Sequence, residues 1–190
     1  AMKAQYPGVP VVTYVNTSAA VKAVSDVCCT SSNAVDIVNA VEGDTVIMIP
    51  DQFLAQNTAK KTKKKIITWA GACEVHETFS ATDIAELRAA YPTAKIIAHP
   101  ECPPDVLAEA DYVGSTQGMV EYVALRQAQG DTERPRVLLM TECSMADNVA
   151  GNYPEVEFVR PCNLCPHMKR NTLAKILHSL ESMEYEVTVD

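Results

Sequence analysis

Aromatic residues make up only 6% of the 190-residue chain, with a single tryptophan, and glycine occurs seven times. No apolar run approaches the roughly 18 residues of a membrane-spanning helix. The opening stretch Ala1-Met2-Lys3-Ala4-Gln5-Tyr6-Pro7 lacks the apolar core of a secretion signal. Positive charge is in deficit: 16 Lys and Arg against 24 Asp and Glu give a net charge of −8, which disfavours nucleic acid as a partner. There is no Walker loop, no G-x-G-x-x-G and no nucleophile elbow, so nucleotide-phosphate and serine-hydrolase signatures are missing as well. These absences predict a cytoplasmic protein that binds neither membrane nor nucleic acid. What is present, 47% hydrophobic and 21% charged residues, excludes disorder as the main state.

Seven cysteines, at 28, 29, 73, 102, 143, 162 and 165, are an odd number without a secretion signal, so a disulfide framework is the weaker reading. Any one of them can be a small core hydrophobe. Pattern must separate ligands from filler.

Short β-branched and aliphatic runs at residues 11–15, 46–49, 66–69, 95–98, 137–140 and 156–159 suit strands covered on both faces. Helix-period segments lie between them, among them 19–24, 33–41, 82–91 and 172–183. Strand and helix alternate, which predicts an α/β fold built on parallel sheets.

The two halves also match each other. An offset of 85 sets Tyr14 over His99, Asn16 over Glu101, Ser25-Asp26-Val27 over Ala110-Asp111-Tyr112, and Thr30-Ser31 over Ser115-Thr116. At offset 91 Asp51 falls on Glu142, and at offset 92 Cys73 falls on Cys165. A duplicated unit of roughly 85–90 residues explains the match. The paired polar residues fall at or just past strand carboxyl ends, where parallel sheets bind ligands.

Two thiols at symmetry-related strand ends can converge on one metal centre, and iron–sulfur clusters are held by such thiolates. For Cys73 alone a buried thiol is the plain alternative; the repeat favours ligation by Cys73 and Cys165. Cys162-x-x-Cys165 taken alone could be half a zinc site or a redox dithiol, but a second half is missing. Cys102 adjoins Glu101, with packing as its simpler role, and packing also suits Cys28 and Cys29. His99 and Glu101 alternate on one strand end, as Tyr14 and Asn16 do, and offer a proton-transfer pair with hydrogen-bonding neighbours. Ser31, Ser115 and Thr116 sit at strand-to-helix turns, where hydroxyls cap helices or hold anions. His76, His167 and His178 read as structural histidines, and the run Lys60-Lys61-Thr62-Lys63-Lys64-Lys65 as a solvated face.

The segments Tyr14-Val15-Asn16-Thr17-Ser18-Ala19, Thr30-Ser31-Ser32-Asn33-Ala34, Trp69-Ala70-Gly71-Ala72-Cys73-Glu74-Val75-His76, His99-Pro100-Glu101-Cys102-Pro103, Val113-Gly114-Ser115-Thr116 and Cys165-Pro166-His167-Met168-Lys169 together resemble the quinolinate synthase family over essentially the whole chain. The resemblance implies condensation of iminosuccinate with dihydroxyacetone phosphate to quinolinate, phosphate and water, in de novo NAD biosynthesis, with L-aspartate oxidase as pathway partner. It implies two similar three-layer α/β units, residues 1–79 and 80–190 with a C-terminal helix, within a pseudo-threefold three-domain architecture whose first domain is absent here. It also implies a [4Fe–4S] cluster with Cys73 and Cys165 as two of its three ligands and one iron open as a Lewis acid. Glu101, His99 and Tyr14 would be catalytic, and Tyr14, Asn16, Ser31, His99, Glu101, Ser115 and Thr116 would surround the substrate. A catalytically incompetent binding fragment, and a zinc or thiol redox protein using Cys162 and Cys165, are the competing readings.

Overall fold

The computed structural model describes residues 2–128, 135–159, 161 and 163–189. In chain order the first repeat contains α1 (Met2–Gln5), β1 (Val11–Tyr14), α2 (Ala19–Ala23), β2 (Val27–Cys29), α3 (Ala34–Ala40), β3 (Thr45–Ile49), α4 (Gln52–Ala59) and β4 (Lys65–Thr68). The second contains α5 (Ala81–Ala90), β5 (Lys95–Ala98), α6 (Pro104–Glu109), β6 (Tyr112–Val113), α7 (Thr116–Ala128), β7 (Arg136–Met140), α8 (Cys143–Asn152) and β8 (Glu157–Val159), and is followed by α9 (Leu173–Ser182). The strands form two four-stranded sheets, β2-β1-β3-β4 and β6-β5-β7-β8, parallel throughout. The fold is therefore α/β, with two similar three-layer units.

The strand runs have no polar alternation because the central strands are buried on both faces. Val12, Val46 and Met48 pack with α3 and α4 residues Ala34, Val38 and Leu54. Their repeat mates Ile97, Val137 and Leu139 pack with Met119, Val123, Ala146 and Val149 of α7 and α8. On the other face of the second sheet, Ile96, Ala98, Leu138 and Met140 meet Ile84 of α5 and Val106 of α6. Each large aliphatic side chain taken fully out of water contributes about 1.5–3 kcal/mol.

The duplication extends to individual hydrogen bonds. Asp26 accepts from the Val11 amide at 2.7 Å and from Lys3 at 3.0 Å; Asp111, 85 residues on, accepts from the Ile96 amide at 2.9 Å and from Arg88 at 3.1 Å. Both aspartates tie the start of a central strand to the edge strand beside it, and both carboxyls are held below their usual range by these bonds.

Candidate functional site

In each sheet the strand order reverses between the first and third strands of the unit, which opens a crevice at their carboxyl ends. The two crevices face one concavity of about 1260 Å³. Tyr14, Asn16, Ser31, Cys73, Glu101, Ser115, Thr116 and Cys165 all line it. His99 is the exception among the candidates: it is buried and does not line the cavity.

Asp51 and Glu142 place the two cysteines. Each is the N-cap of the helix that follows the third strand, accepting from the Leu54 amide at 2.6 Å and the Ser144 amide at 2.7 Å. Each uses its other oxygen, or a share of the same carboxylate, on a cysteine amide: Cys73 N–H donates to Asp51 at 2.9 Å and Cys165 N–H to Glu142 at 3.3 Å. The bridges Asp51 to Gly71 and Glu142 to Asn163 carry the same register. A Cβ on Gly71 would stand 2.9 Å from the Pro50 carbonyl oxygen, so this approach requires glycine. Cys73 and Cys165 are free, half-buried thiols. Burial, reinforced by the Glu101 charge, pushes the Cys73 thiol up to about 11. A cation would reverse that preference.

Around Glu101 the side chains form a continuous polar cluster across the two units. The Tyr14 hydroxyl donates to Glu101 Oε2 at 3.4 Å, and His99 Nδ1 lies 3.1 Å from the same oxygen. His99 Nε2 is 3.3 Å from Ser31 Oγ, linking hydroxyl, imidazole and carboxylate in one chain. Burial alone would raise the Glu101 carboxyl, but the hydrogen bond and charge of His99, the charge of His76 and the Tyr14 hydroxyl outweigh it and hold it below the usual carboxylate range. Burial and the Glu101 charge push the Tyr14 hydroxyl well above its ordinary value, so it stays a neutral donor.

His76 is a residue that sequence reasoning set aside as structural. It stacks on His99 with ring centroids 4.7 Å apart, and its Nδ1 is 3.1 Å from Cys73 Sγ and 3.6 Å from Glu101 Oε2. Its Nε2 is fixed by Thr141 Oγ1 at 3.1 Å. Donor atoms of Cys73, His76 and Glu101 all lie within 4.8 Å of one another. The signal available in the sequence was the Cys-x-x-His spacing at a strand end. His167 and His178, by contrast, are exposed and face Glu74 and Glu184.

Other expectations resolve on burial. Cys102 is fully buried in the second core, and Cys29 is buried in the first, whereas Cys28 is exposed. The Ser115 hydroxyl accepts from the Gly118 amide at 3.2 Å and so does cap α7, while Ser31 faces His99 instead. Lys60, Lys61, Lys63 and Lys65 are exposed as expected. Cys162 lies outside the described residues.

Two buried groups set opposing pH dependences. Burial, helped by the Glu101 charge, raises the Asp51 carboxyl to about 6, and burial with repulsion from His99 lowers His76 to about 4. A raised carboxyl costs the fold stability as pH climbs through roughly 4 to 6, whereas a histidine kept neutral costs stability as pH falls from about 6.5 to 4. Each amounts to about 3 kcal/mol at 1.36 kcal/mol per pH unit, so the two nearly cancel. Denaturant titrations are expected to show Asp51→Asn losing stability on acidification through this window and His76→Gln gaining it. Parallel profiles for both variants and the parent would contradict the assignment.

The family model described as Quinolinate synthetase A protein matches residues 1–190. Quinolinate synthase 1 of Mesorhizobium japonicum is 60% identical over 190 residues, which are 100% of this chain and 56% of that protein. Quinolinate synthases of Xylella fastidiosa and Agrobacterium fabrum are each 57% identical, over 189 and 190 residues, with 54% and 53% of their own lengths covered. The chain thus spans about half the length of the curated relatives it matches. Among the described residues no helix is long and apolar enough to cross a membrane. With the family model matching from end to end, on a chain whose repeat-related cysteines open into one cavity, this chain belongs to the quinolinate synthase family.

Proposed function

We propose that this chain forms residues 1–79 and 80–190 as two of the domains of a cytoplasmic quinolinate synthase, which condenses iminosuccinate with dihydroxyacetone phosphate and releases phosphate and water. One observation carries the reading: Cys73, Cys165 and the buried Glu101 cluster open into a single concavity shared by both units. In this account L-aspartate oxidase supplies the imine as pathway partner.

The donor set fits an iron–sulfur cluster. Cys73 and Cys165 offer soft thiolates, both free, both with amides pinned by an acidic cap. Cys73 and Cys165, with one ligand from outside this chain, would hold a [4Fe–4S] cluster, which would supply Lewis-acid chemistry to the cavity. Glu101, ionised at neutral pH, takes a proton at Oε2. His99 bridges Glu101 Oε2 and the Ser31 hydroxyl through its two ring nitrogens, and relays a proton between them by gaining one at one nitrogen as it loses one at the other. Tyr14 stays protonated and orients Glu101 or a substrate oxygen. Asn16, Ser115 and Thr116 bind polar groups of the substrate, with the α7 amino end placed to hold phosphate or carboxylate.

The test is a chimera in which this chain replaces the aligned 190-residue segment of the Mesorhizobium japonicum relative. Anaerobically purified chimera should form quinolinate from the two substrates at a rate within about tenfold of the parent. A folded, iron-loaded chimera without that activity would refute the proposal, and stoichiometric zinc in place of iron would favour the Cys162 and Cys165 alternative.

A further inference from the structure

Two turns related by the repeat differ in one residue type. At offset 92 Cys73-x-x-His76 falls on Cys165-x-x-Met168, so the first carries an imidazole where the second carries a thioether. The second turn uses its main chain alone: the Met168 amide donates to Cys165 Sγ at 3.5 Å, and the residue is exposed. In the first turn His76 is buried and brings its Nδ1 to 3.1 Å from Cys73 Sγ. Nothing that the two cysteines do alike accounts for that difference.

Three donors of different elements converge at the first turn. His76 Nδ1 stands 3.1 Å from Cys73 Sγ and 3.6 Å from Glu101 Oε2, and the three ligand atoms lie within 4.8 Å of one another. Bonds of about 2.3 Å to sulfur and about 2.0–2.2 Å to nitrogen and oxygen, at tetrahedral angles, set ligand atoms roughly 3.3–3.6 Å apart. Both distances to the imidazole are within a few tenths of an ångström of that spacing, and side-chain rotation brings sulfur and carboxylate together. The imidazole is already held as a metal-bound histidine is. Its other nitrogen, Nε2, meets Thr141 Oγ1 at 3.1 Å, and its face lies on His99 with centroids 4.7 Å apart. Cys73 and His76 follow β4, whereas Glu101 and Thr141 follow β5 and β7 of the other sheet. Cys73, His76 and Glu101 all line the concavity, which gives a further ligand access from solvent.

We propose that Cys73 Sγ, His76 Nδ1 and Glu101 Oε2 form a site for one borderline-soft divalent ion such as Zn²⁺, with a fourth position open to the cavity. A thiolate and an imidazole beside a single carboxylate select this class over Mg²⁺ or Ca²⁺, which take oxygen. The assignment stands on the donor geometry, independently of the reaction. Since Cys73 is also a cluster ligand in the function proposed above, ion and cluster exclude each other, and the cluster-free chain is the form that takes the ion. Bound there, the ion ties the loop after β4 to the loop after β5 and stabilises the fold by linkage.

The test titrates the 190-residue chain, stripped of iron with chelator and kept reduced, with Co²⁺ and then Zn²⁺. One Co²⁺ per chain should bind with a thiolate-to-cobalt charge-transfer band and the intense visible bands of four-coordination. Zn²⁺ should displace it one for one and, at saturation, raise the melting temperature by about 3 °C or more. Cys73→Ser should abolish the charge-transfer band, His76→Gln and Glu101→Gln should each weaken binding at least about 100-fold, and Thr141→Val about 10–100-fold. Cys162→Ser and Cys165→Ser should leave band and affinity unchanged, which separates this site from a dithiol of those two residues. X-ray absorption of the zinc-loaded unsubstituted chain should show one sulfur at about 2.3 Å among nitrogen and oxygen neighbours at about 2.0–2.2 Å, and it decides the matter even where a variant fails to fold. No uptake by the folded chain, two or more sulfurs on the zinc, unchanged affinity in His76→Gln or Glu101→Gln, or binding lost in Cys165→Ser would each overturn the proposal.

Discussion

Glu101→Gln in the full-length chimera is expected to lower the rate of quinolinate formation by about 10²–10⁴-fold, the range a positioned acid or base contributes. The amide is nearly isosteric and can still receive the Tyr14 hydroxyl, so the cavity keeps its shape. It cannot take a proton, and it removes the charge that faces His99 at 3.1 Å and His76 at 3.6 Å. Iron content should stay at the parent level, because neither cysteine is altered. That split between activity and iron separates a proton-transfer role from a structural one. Parent activity in the variant would remove Glu101 from the chemistry, and loss of iron with activity would make it part of the metal centre.

The second large effect concerns stability and compares two isoleucines 92 residues apart. Ile84→Ala should destabilise the 190-residue chain by about 2–5 kcal/mol, because the deleted atoms leave a cavity between α5 and the second sheet. Ile176→Ala, 92 residues on in α9, should change stability by less than about 1 kcal/mol, since this residue is half exposed. Denaturant midpoints of the two variants measure the contrast directly. Equal losses would mean that α9 is packed within the chain.

Much of this architecture was legible because duplication gives a sequence an internal control. The strand runs and the helices at residues 33–41, 82–91 and 172–183 emerged from apolar runs and helical period, the pairing of Cys73 with Cys165 emerged from the offsets, and the parallel sheets follow from continuous apolar strands. Edge strands β2 and β6, three and two residues long, were not legible, because Val27–Cys29 and Tyr112–Val113 are too short to show a period and owe their form to the neighbouring strand. Helices α4 and α8 were equally hidden: each begins three residues after the end of the preceding strand, so no loop separates strand from helix in the sequence. Their caps Asp51 and Glu142 were noticed only as polar strand ends, and their grip on the cysteine amides requires the folded register. His76 and Thr141 come from different units, so their contact has no local signature at all. His99 illustrates the converse: alternation pairs it with Glu101, and the two side chains do meet, but alternation along a strand could not tell that it stands behind the cavity wall.

The central claim is that two cysteines 92 residues apart hold one group at equivalent strand ends. Iron and sulfide per chain, measured on the anaerobic chimera and its Cys73→Ser, Cys165→Ser and Cys102→Ser variants, test it most directly. The account predicts one [4Fe–4S] complement in the parent and in Cys102→Ser, and loss of nearly all of it in either of the other two, since a cubane cannot be kept with a ligand gone. Full iron in Cys73→Ser or Cys165→Ser, or a loss of only half in each, would contradict a single shared centre.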